Sequence, residues 1–179
     1  MELVQKGQSA NLSDTFTQLK LTASWTEAAD LDIAALYEKK DGTKGLVYFG
    51  SQGDLNAFPF IKLDQDAGVG NKAAAGGNKE TMKVTKLDDM NTVHLLIWDY
   101  GNIERGEPGR FGGSVKVALV DDTGTDHTVS LDGSTIANVA VIATIDNSSP
   151  VGPKLTNTSK FGTLKGLKSD QQLWDIVNS

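Results

Sequence analysis

The sequence predicts an all-β fold, a two-sheet antiparallel β-sandwich with a short C-terminal helix. In several short segments, apolar and polar residues alternate, which is the pattern of strands with one buried face. Turns rich in glycine and aspartate separate these segments at close spacing, as is typical of sandwiches and barrels. A helical spacing of apolar residues occurs only near the C-terminus. With 179 residues, the chain is long enough for one domain with a single core.

The first half of the chain contains four strand-like segments and a hairpin turn. An edge segment is predicted over residues 3–12, followed by residues 19–25 and 31–37, which alternate with a period of two. Residues 40–42 supply the hairpin turn. Residues 46–49 are predicted as the short apolar strand that follows it.

The second half contains the segment with the strongest strand character, residues 93–98. Both of its faces are largely apolar, which places it centrally in its sheet. The same patterns predict further strands over residues 82–84, 115–119, 129–131 and 138–145. Residues 99–113, with several acids and glycines, are predicted as a loop.

The last part of the chain is predicted to be less regular. Residues 147–168 are rich in Ser, Pro, Thr, Lys and Gly, and indicate an extended loop or a lightly structured arm. Ser169 and Gln172 match a capping box ahead of the terminal helix. We therefore assign residues 1–146 to the β-sandwich and residues 147–179 to an arm and short helix of the same domain.

Composition restricts the partners and the location. The formal net charge is −6, and the lysines are scattered along the sequence, which argues against nucleic acid or an anionic membrane as a partner. A cation is a better match for the negative net charge of the chain. Peripheral association with a membrane is kept as an alternative. The chain has no cysteine, no visible secretory signal and no apolar run of membrane-spanning length. We expect a cytoplasmic protein that does not span a membrane.

A glycine-rich loop between residues 64 and 80 is the strongest candidate for a metal site. Glycines let successive carbonyl oxygens turn toward one point, and the loop also carries Asp64, Asp66 and Glu80. Ca²⁺ takes six to eight oxygen ligands, backbone carbonyls included. The flanking segments are predicted as strands, so this is not an EF-hand, and no phosphate-binding glycine motif can be placed here.

Other carboxylates are predicted to join this loop. Asp30 and Asp32 share one face at the start of a strand, and two like charges that close repel unless a cation lies between them. Asp99 follows the central strand, where the loops of a sandwich converge. Each acid also has a simpler interpretation: a solvated polar face for Asp30 and Asp32, a cap of its own backbone for Asp99, and an exposed edge charge for Glu80.

Residue arrangements for catalysis are scarce. His94 is predicted to be packed within the central strand, and His127 to be exposed near a turn, so a catalytic zinc site would need carboxylate help. The three tryptophans, Trp25, Trp98 and Trp174, are expected in core or helix packing, which leaves few aromatic platforms for a sugar. The sequence predicts no catalytic residues and no enzymatic activity.

Several short motifs occur in a fixed order between residues 3 and 146. They are Leu3-Val-Gln-Lys-Gly7 with Asn11-Leu-Ser13, Trp25 followed by Asp30-Leu-Asp32-Ile-Ala34, the loop residues Asp64, Gly68, Gly70, Gly77 and Glu80, then Ile97-Trp-Asp99, and finally Arg105-Gly106 with Phe111-Gly112. In this order they resemble the tellurium-resistance D (TerD) family of bacterial stress proteins, although each motif alone has low specificity.

The resemblance implies a β-sandwich that binds Ca²⁺ through acids near one end and has no established reaction. It also implies a binding or scaffold role in tellurite and general stress resistance, with Ca²⁺ and other stress-resistance proteins as partners. We expect carboxylate ligands from several strands and carbonyl ligands from the loop. The candidates are Asp30, Asp32, Asp64 and Glu80, with Asp99 weaker, Asp66 as a substitute, and the carbonyls of Ala67 and Val69.

The sequence departs from the family pattern within the loop. Gln65 stands in place of asparagine, Asn78 and Lys79 stand in place of two carboxylates, and residues 72–75 resemble an insertion. Fewer charged ligands weaken Ca²⁺ affinity, so one site is expected and a second is expected to be degraded. The alternative is a metal-independent interaction domain, with residues 147–179 as a divergent partner surface. A third alternative, an enzyme on a shared scaffold, stays open because fold does not fix function.

Overall fold

The computed structural model of the chain describes residues 1–26, 30–64, 78–111, 114–133 and 135–179. Within these ranges the chain forms short strands and two helices. In chain order these are β1 (Glu2–Leu3), β2 (Ser9–Asn11), β3 (Leu19–Trp25), β4 (Asp32–Lys39), β5 (Lys44–Val47), β6 (Gly53–Asp54), β7 (Ile61–Leu63), β8 (Asn78–Val84), β9 (Met90–Trp98), α1 (Tyr100–Arg105), β10 (Gly109–Arg110), β11 (Lys116–Asp121), β12 (Asp126–Ser130), β13 (Ile136–Ala137), β14 (Val139–Asp146), β15 (Lys154–Gly162) and α2 (Gln171–Val177).

The described strands form two main sheets. One has seven strands in the order β1-β12-β11-β3-β8-β7-β6, and the other has six in the order β2-β15-β14-β9-β4-β5. Strand pairing is antiparallel except at one margin, where β1 lies parallel to β12. A separate pair, β10 and β13, forms a small ribbon. The predicted class, an all-β two-sheet antiparallel sandwich with a short C-terminal helix, is confirmed.

The main core lies between the two sheets. In β3 the burial alternates strictly, with Leu19, Leu21, Ala23 and Trp25 inside. This is the period-two pattern that predicted the strand. Fully burying each large apolar side chain contributes about 1.5–3 kcal/mol, so the inward residues of the facing sheets hold the sandwich closed.

A second apolar layer covers the outer face of the six-stranded sheet. There β4 and β9 contribute Leu36, Leu96 and Trp98, which are buried beneath α1, α2 and residues 163–170. Because β9 lies between β14 and β4 and is covered on both faces, both of its faces are apolar, as its sequence predicted. Helix α2 adds Leu173 and Trp174 to this layer.

The prediction of an extended loop is wrong for residues 154–162. These residues form β15, which lies between β2 and β14 inside the six-stranded sheet. Its inward positions alternate as in any strand, but two of them are the polar residues Asn157 and Ser159. Asn157 Nδ2 donates to the carbonyls of Leu3 and Ser130, and Ser159 Oγ donates to Asn157 Oδ1. Buried polar groups with partners therefore replace the apolar pattern.

The loop predicted for residues 99–113 begins with a helix. Asp99 caps α1 by accepting a hydrogen bond from the backbone N–H of Asn102, and Gly106 ends the helix in the left-handed region, with φ 67°. Glycine adopts that conformation without strain. Only one residue of the six-residue helix, Ile103, is buried, so the sequence lacks a helical apolar stripe.

The capping box predicted ahead of α2 forms only in part. The Gln172 side chain accepts hydrogen bonds from the backbone N–H groups of Lys168 and Ser169, which is the returning half of the box. The residue at the cap position is Asp170, and its side chain makes no capping bond. Neither α2 nor any other helix of the described ranges has the length and apolar character needed to cross a membrane.

Five lysines that are scattered in sequence come together on the outer face of the seven-stranded sheet. We call the surface formed by Lys20, Lys62, Lys79, Lys83 and Lys116 the lysine face. Each of these residues lies at an outward position of its strand, and Lys83 is the only one of the five that is half-buried. Five of the fifteen lysines that are scattered along the sequence thus lie together on one face.

Candidate metal-binding site

Strands of both sheets bring the predicted carboxylates to one end of the sandwich. Asp32 begins β4 and Asp30 lies two residues before it. Asp32 is paired with Trp98, the last residue of β9. Asp99 follows directly, so it lies at the same end as Asp30 and Asp32. Asp30 is exposed and Asp32 is half-buried.

Glu80 reaches this end from the opposite sheet. It occupies an inward position of β8 and is 7% exposed. Its Oε2 accepts a hydrogen bond of 2.8 Å from the backbone N–H of Ile33, the residue after Asp32. Pairing between β4 and β5 begins at Ala35, so the Ile33 N–H lies beyond the reach of β5. The interpretation of Glu80 as an exposed edge charge is therefore wrong.

Asp64 lies where the glycine loop leaves the sheet. It follows β7, and its backbone N–H donates to the carbonyl of Thr81 at 2.9 Å. Its side chain forms an ion pair with Lys83 of the lysine face, with 3.7 Å between Oδ2 and Nζ. The chain departs after Asp64 and returns at Asn78, which begins β8. Both ends of the loop are thus anchored at the acid-bearing end of the sandwich, which we call the acidic end and define by Asp30, Asp32, Asp64, Glu80 and Asp99.

Asp99 already has hydrogen-bond partners for both carboxylate oxygens. Oδ1 accepts from the backbone N–H of Asn102 and Oδ2 accepts from Asn102 Nδ2, each at 3.1 Å. This is the backbone-capping role that was its simpler interpretation. Both carboxylate oxygens of Asp99 are therefore already engaged by Asn102.

The remaining predicted ligands cannot be placed. Asp66, Ala67 and Val69 lie outside the described residues, as do Gln65 and residues 72–75. Among the residues that are described, no three acidic or histidine side chains come together in an arrangement that could hold a metal ion. The described part of the acidic end is therefore at most an incomplete set of oxygen donors.

The donors that are described nevertheless have the chemistry that Ca²⁺ requires. Asp30, Asp32, Asp64 and Glu80 offer carboxylate oxygens from three strands and both sheets. Ca²⁺ tolerates such irregular sets of oxygen ligands, whereas Mg²⁺ demands a near-octahedral one. The acidic end fits a hard cation in type of donor, and Lys83 beside Asp64 is the feature that opposes it.

The two histidines contribute nothing to this end. His94 is packed on the outer face of β9, as predicted, where its Nδ1 lies 2.9 Å from Thr144 Oγ1 and its ring meets Trp174 edge to face. Burial, with the charge of Lys160, lowers the pKa of His94 to about 4. His127 is half-buried within β12 rather than exposed in a turn.

Two contacts at the acidic end were missed from the sequence. The bond from Ile33 N–H to Glu80 had a signal, because Glu80 alternates in register with the apolar Met82 and Val84 and should point inward with them. The ion pair of Lys83 with Asp64 had none, because it depends on the pairing of β7 with β8.

The fold and the acidic end define a class: a two-sheet β-sandwich with a third, helical layer and with several carboxylates at one end. No protein-family model matches the sequence, and no curated protein matches it. Among solved structures, the fold is similar to that of SCO6318 from Streptomyces coelicolor A3(2), described as a homologue of telluride resistance protein (TerD). The two are 15% identical with a TM-score of 0.51, over 90% of this chain and 96% of the other.

A second solved structure, SAV2460, is described as a protein of unknown function. It is 13% identical with a TM-score of 0.49, over 80% of this chain and 91% of the other. The likeness to SCO6318 concerns the fold, and it shows that this chain has a TerD-like β-sandwich fold. This confirms the divergent TerD-like fold that the order of the sequence motifs predicted.

Proposed function

We propose that the protein is a non-enzymatic Ca²⁺-binding module of the TerD type, which acts as a binding or scaffold component in tellurite and general stress resistance. The observation that carries the metal part is Glu80, a buried carboxylate hydrogen-bonded to the residue after Asp32 at the end where the glycine loop begins and ends. The process is proposed from the fold likeness to a homologue of telluride resistance protein. The lack of cysteine is compatible with the cytoplasm as its location.

The proposed role of Ca²⁺ is to neutralise the carboxylates and order the loop. Asp30, Asp32, Asp64 and Glu80 would supply charged oxygens, and loop residues Asp66, Ala67 and Val69 would complete the shell. A ligand that binds only the folded state stabilises it, by about 2.7 kcal/mol at one hundred times its dissociation constant. In the proposed function, Ca²⁺ thus fixes the conformation of the loop, and other stress-resistance proteins bind the protein in that conformation.

A specific observation favours a second candidate, a metal-independent interaction domain. Several acids at this end already have protein partners: Asp64 has Lys83, Asp99 has Asn102 and Glu80 has the Ile33 N–H. In that case the acidic end is held by the protein's own donors. The two candidates differ in whether Ca²⁺ changes stability.

Neutral variants of the proposed ligands test the assignment. We expect Asp32→Asn and Asp64→Asn to lose most of the Ca²⁺-dependent rise in the thermal unfolding midpoint. Asp88→Asn is the matched control, because Asp88 is an exposed carboxylate in the turn between β8 and β9, at the opposite end of the sandwich. An undiminished rise in both ligand variants would refute the ligand set. A wild-type protein without any rise would favour the metal-independent domain.

A further inference from the structure

We propose that the lysine face docks on the surface of a bilayer that contains anionic lipid. The face was defined above by Lys20, Lys62, Lys79, Lys83 and Lys116. The inference rests on the register of these lysines and on the composition of the surface around them, which has few large apolar and no aromatic side chains at the outward positions of β3, β8 and β11. It is independent of Ca²⁺ binding at the acidic end.

Strand register places three of the lysines side by side. Lys83 of β8 is paired directly with Lys62 of β7 on one side and with Lys20 of β3 on the other. Neighbouring strands lie about 4.7–4.9 Å apart, so the three stems stand within about 10 Å of one another. Like charges at directly opposite positions destabilise a sheet. The row is therefore an arrangement that folding alone does not favour.

Two further lysines form a second row. Ser24 of β3 is paired with Lys79 of β8 and with Lys116 of β11, so two ammonium groups flank a small hydroxyl residue. Lys79 and Lys83 are four residues apart on one strand, which corresponds to about 13 Å. Five positive side chains thus project from four neighbouring strands, β11, β3, β8 and β7.

The surface between the two rows of lysines carries small, uncharged residues on β8, β3 and β11 and one acid, Asp64, after β7. The uncharged outward residues there are Thr22, Thr81 and Ala118. Among the described outward acids of this sheet, Asp64 lies within the patch, beside Thr81 and paired with Lys83. Glu2 and Asp126 lie on β1 and β12, on the far side of β11. A protein with a formal net charge of −6 therefore presents one face with a strong local excess of positive charge. Because screening acts over about 10 Å, the local face rather than the net charge decides what it attracts.

Nucleic acid is the poorer partner for this surface. Single strands are bound by aromatic platforms, and the outward positions of β3, β8 and β11 carry none. Duplexes are read by side chains that reach base edges in a groove, most often arginine, and the described part of this face carries no arginine. The positively charged residues of the patch are all lysine, which binds as a point charge without the planar geometry of arginine.

A folded protein partner is also poorly matched. Protein interfaces have an apolar centre and are depleted in lysine. The only large apolar side chain that the described outward positions expose here is Val120, at 46%. An anionic bilayer requires neither an apolar centre nor shape complementarity. It requires several lysines that approach the same plane together, which two paired rows on one sheet provide.

The expected strength follows from the number of lysines. Each lysine near an anionic surface strengthens binding about fivefold, so removing three should weaken it about a hundredfold. Such binding is reversible and decreases with salt. Binding through the lysine face would orient the protein on the bilayer, with the acidic end beside the membrane contact.

Vesicle co-sedimentation tests the proposal. The full chain is sedimented with vesicles of phosphatidylcholine and phosphatidylglycerol in equal parts, and with phosphatidylcholine alone, in EDTA and about 0.1 M salt, where screening acts over about 10 Å. The face variant is Lys20→Gln, Lys62→Gln and Lys83→Gln together. The matched control replaces the exposed lysines Lys40, Lys154 and Lys168, which lie away from this sheet, so both variants lose three charges. Circular dichroism verifies that both variants are folded, including the face variant, in which the half-buried Lys83 is replaced.

We expect wild type and control to bind the anionic vesicles with closely similar affinity, and the face variant to bind about a hundredfold more weakly. Equal binding by the face variant and the control would overturn the proposal. So would binding of wild type to pure phosphatidylcholine, or absence of vesicle binding. Binding to duplex DNA without binding to vesicles would assign the face to nucleic acid and would also overturn it. Because EDTA is present throughout, failure here leaves the proposed Ca²⁺ function unaffected.

Discussion

The Glu80 carboxylate on the seven-stranded sheet accepts a hydrogen bond from the backbone N–H of Ile33 on the six-stranded sheet, at 2.8 Å. The partner strand β5 ends its pairing with β4 before it reaches Ile33, so this N–H would otherwise lack a strand partner. The bond connects the two sheets at the acidic end. It also explains why a charged residue occupies a position that is 7% exposed.

Removing this carboxylate should destabilise the fold even without a metal. In EDTA, Glu80→Ala leaves the Ile33 N–H without its acceptor and should lower the free energy of unfolding by about 2–3 kcal/mol. Glu80→Gln keeps an acceptor and should cost less than half as much. Urea denaturation of both variants measures the difference. Equal losses in the two variants would show that the hydrogen bond is not what Glu80 contributes.

Stability should fall as the pH is lowered because His94 is buried as the neutral imidazole. Its pKa is about 4 in the folded protein, against 6.5 for an ordinary histidine. Between these two values the unfolded chain binds a proton that the folded chain does not, so the free energy of unfolding decreases by about 3 kcal/mol as the pH falls through this window. Urea denaturation across the window measures the slope.

His94→Gln should flatten that slope, and Gln retains a polar group near Thr144. His127→Gln leaves His94 in place and should keep the slope of the wild type. Carboxylates with a lowered pKa, such as Asp146 held by Ser148, destabilise only at still lower pH and do so in every variant. A His94→Gln protein with an unchanged slope would rule out His94 as its source.

Lys160 should hold the end of α2 against the six-stranded sheet. Its Nζ donates to the backbone carbonyls of Val177, at 2.5 Å, and of Ser179, at 3.1 Å. A cation at a helix C-terminus is favourable, and hydrogen bonds from charged donors contribute about 1.5–3 kcal/mol. Lys160→Met keeps the apolar stem and should speed hydrogen exchange of the α2 amides about tenfold or more.

The matched control is Lys154→Met, because Lys154 lies on the same strand but is exposed. Its α2 amides should exchange as in the wild type. A second readout is the pKa of His94, which the charge of Lys160 lowers and which should rise in Lys160→Met. Unchanged exchange together with an unchanged His94 pKa would contradict the assignment.

Charge repulsion across the lysine face should be measurable as stability. Lys20→Glu places a carboxylate opposite Lys83 and should raise the free energy of unfolding by about 0.5–1 kcal/mol. The gain should disappear at high salt, where surface charges are screened. Lys116→Glu is the control on the same face, since its paired neighbours are Ser24 and Ser130. An equal gain in both variants would mean that net charge rather than register is responsible.

The strands that the sequence predicted best are those in which the buried residues are apolar and the exposed residues are polar. In β3 every inward residue is apolar, and β9 is apolar on both faces because it is central and covered twice. The predicted turn at residues 40–42 lies where β4 and β5 form a hairpin. Alternation and turn chemistry are local, so they can be read without knowledge of the strand order.

The features that sequence missed depend on contacts between distant residues. Strand β15 was missed because the polar residues Asn157 and Ser159 fill inward positions. The partners of Asn157 lie on β1 and β12, and Ser159 in turn donates to Asn157. The lysine face was not predicted because Lys20, Lys62 and Lys83 become neighbours only through the strand order β7-β8-β3. Of the acidic end, the sequence predicted that Asp30, Asp32, Asp64, Glu80 and Asp99 share one end. It could not predict that Lys83 pairs with Asp64.

The most direct test of the proposed function is thermal unfolding of the metal-stripped protein with Ca²⁺ and, separately, with Mg²⁺. Because irregular oxygen ligands suit Ca²⁺ and not Mg²⁺, we predict a rise in the unfolding midpoint that is selective for Ca²⁺ and grows with its concentration. An unchanged midpoint at millimolar Ca²⁺, or equal rises with both ions, would contradict a Ca²⁺ site at the acidic end. The protein would then be a metal-independent scaffold.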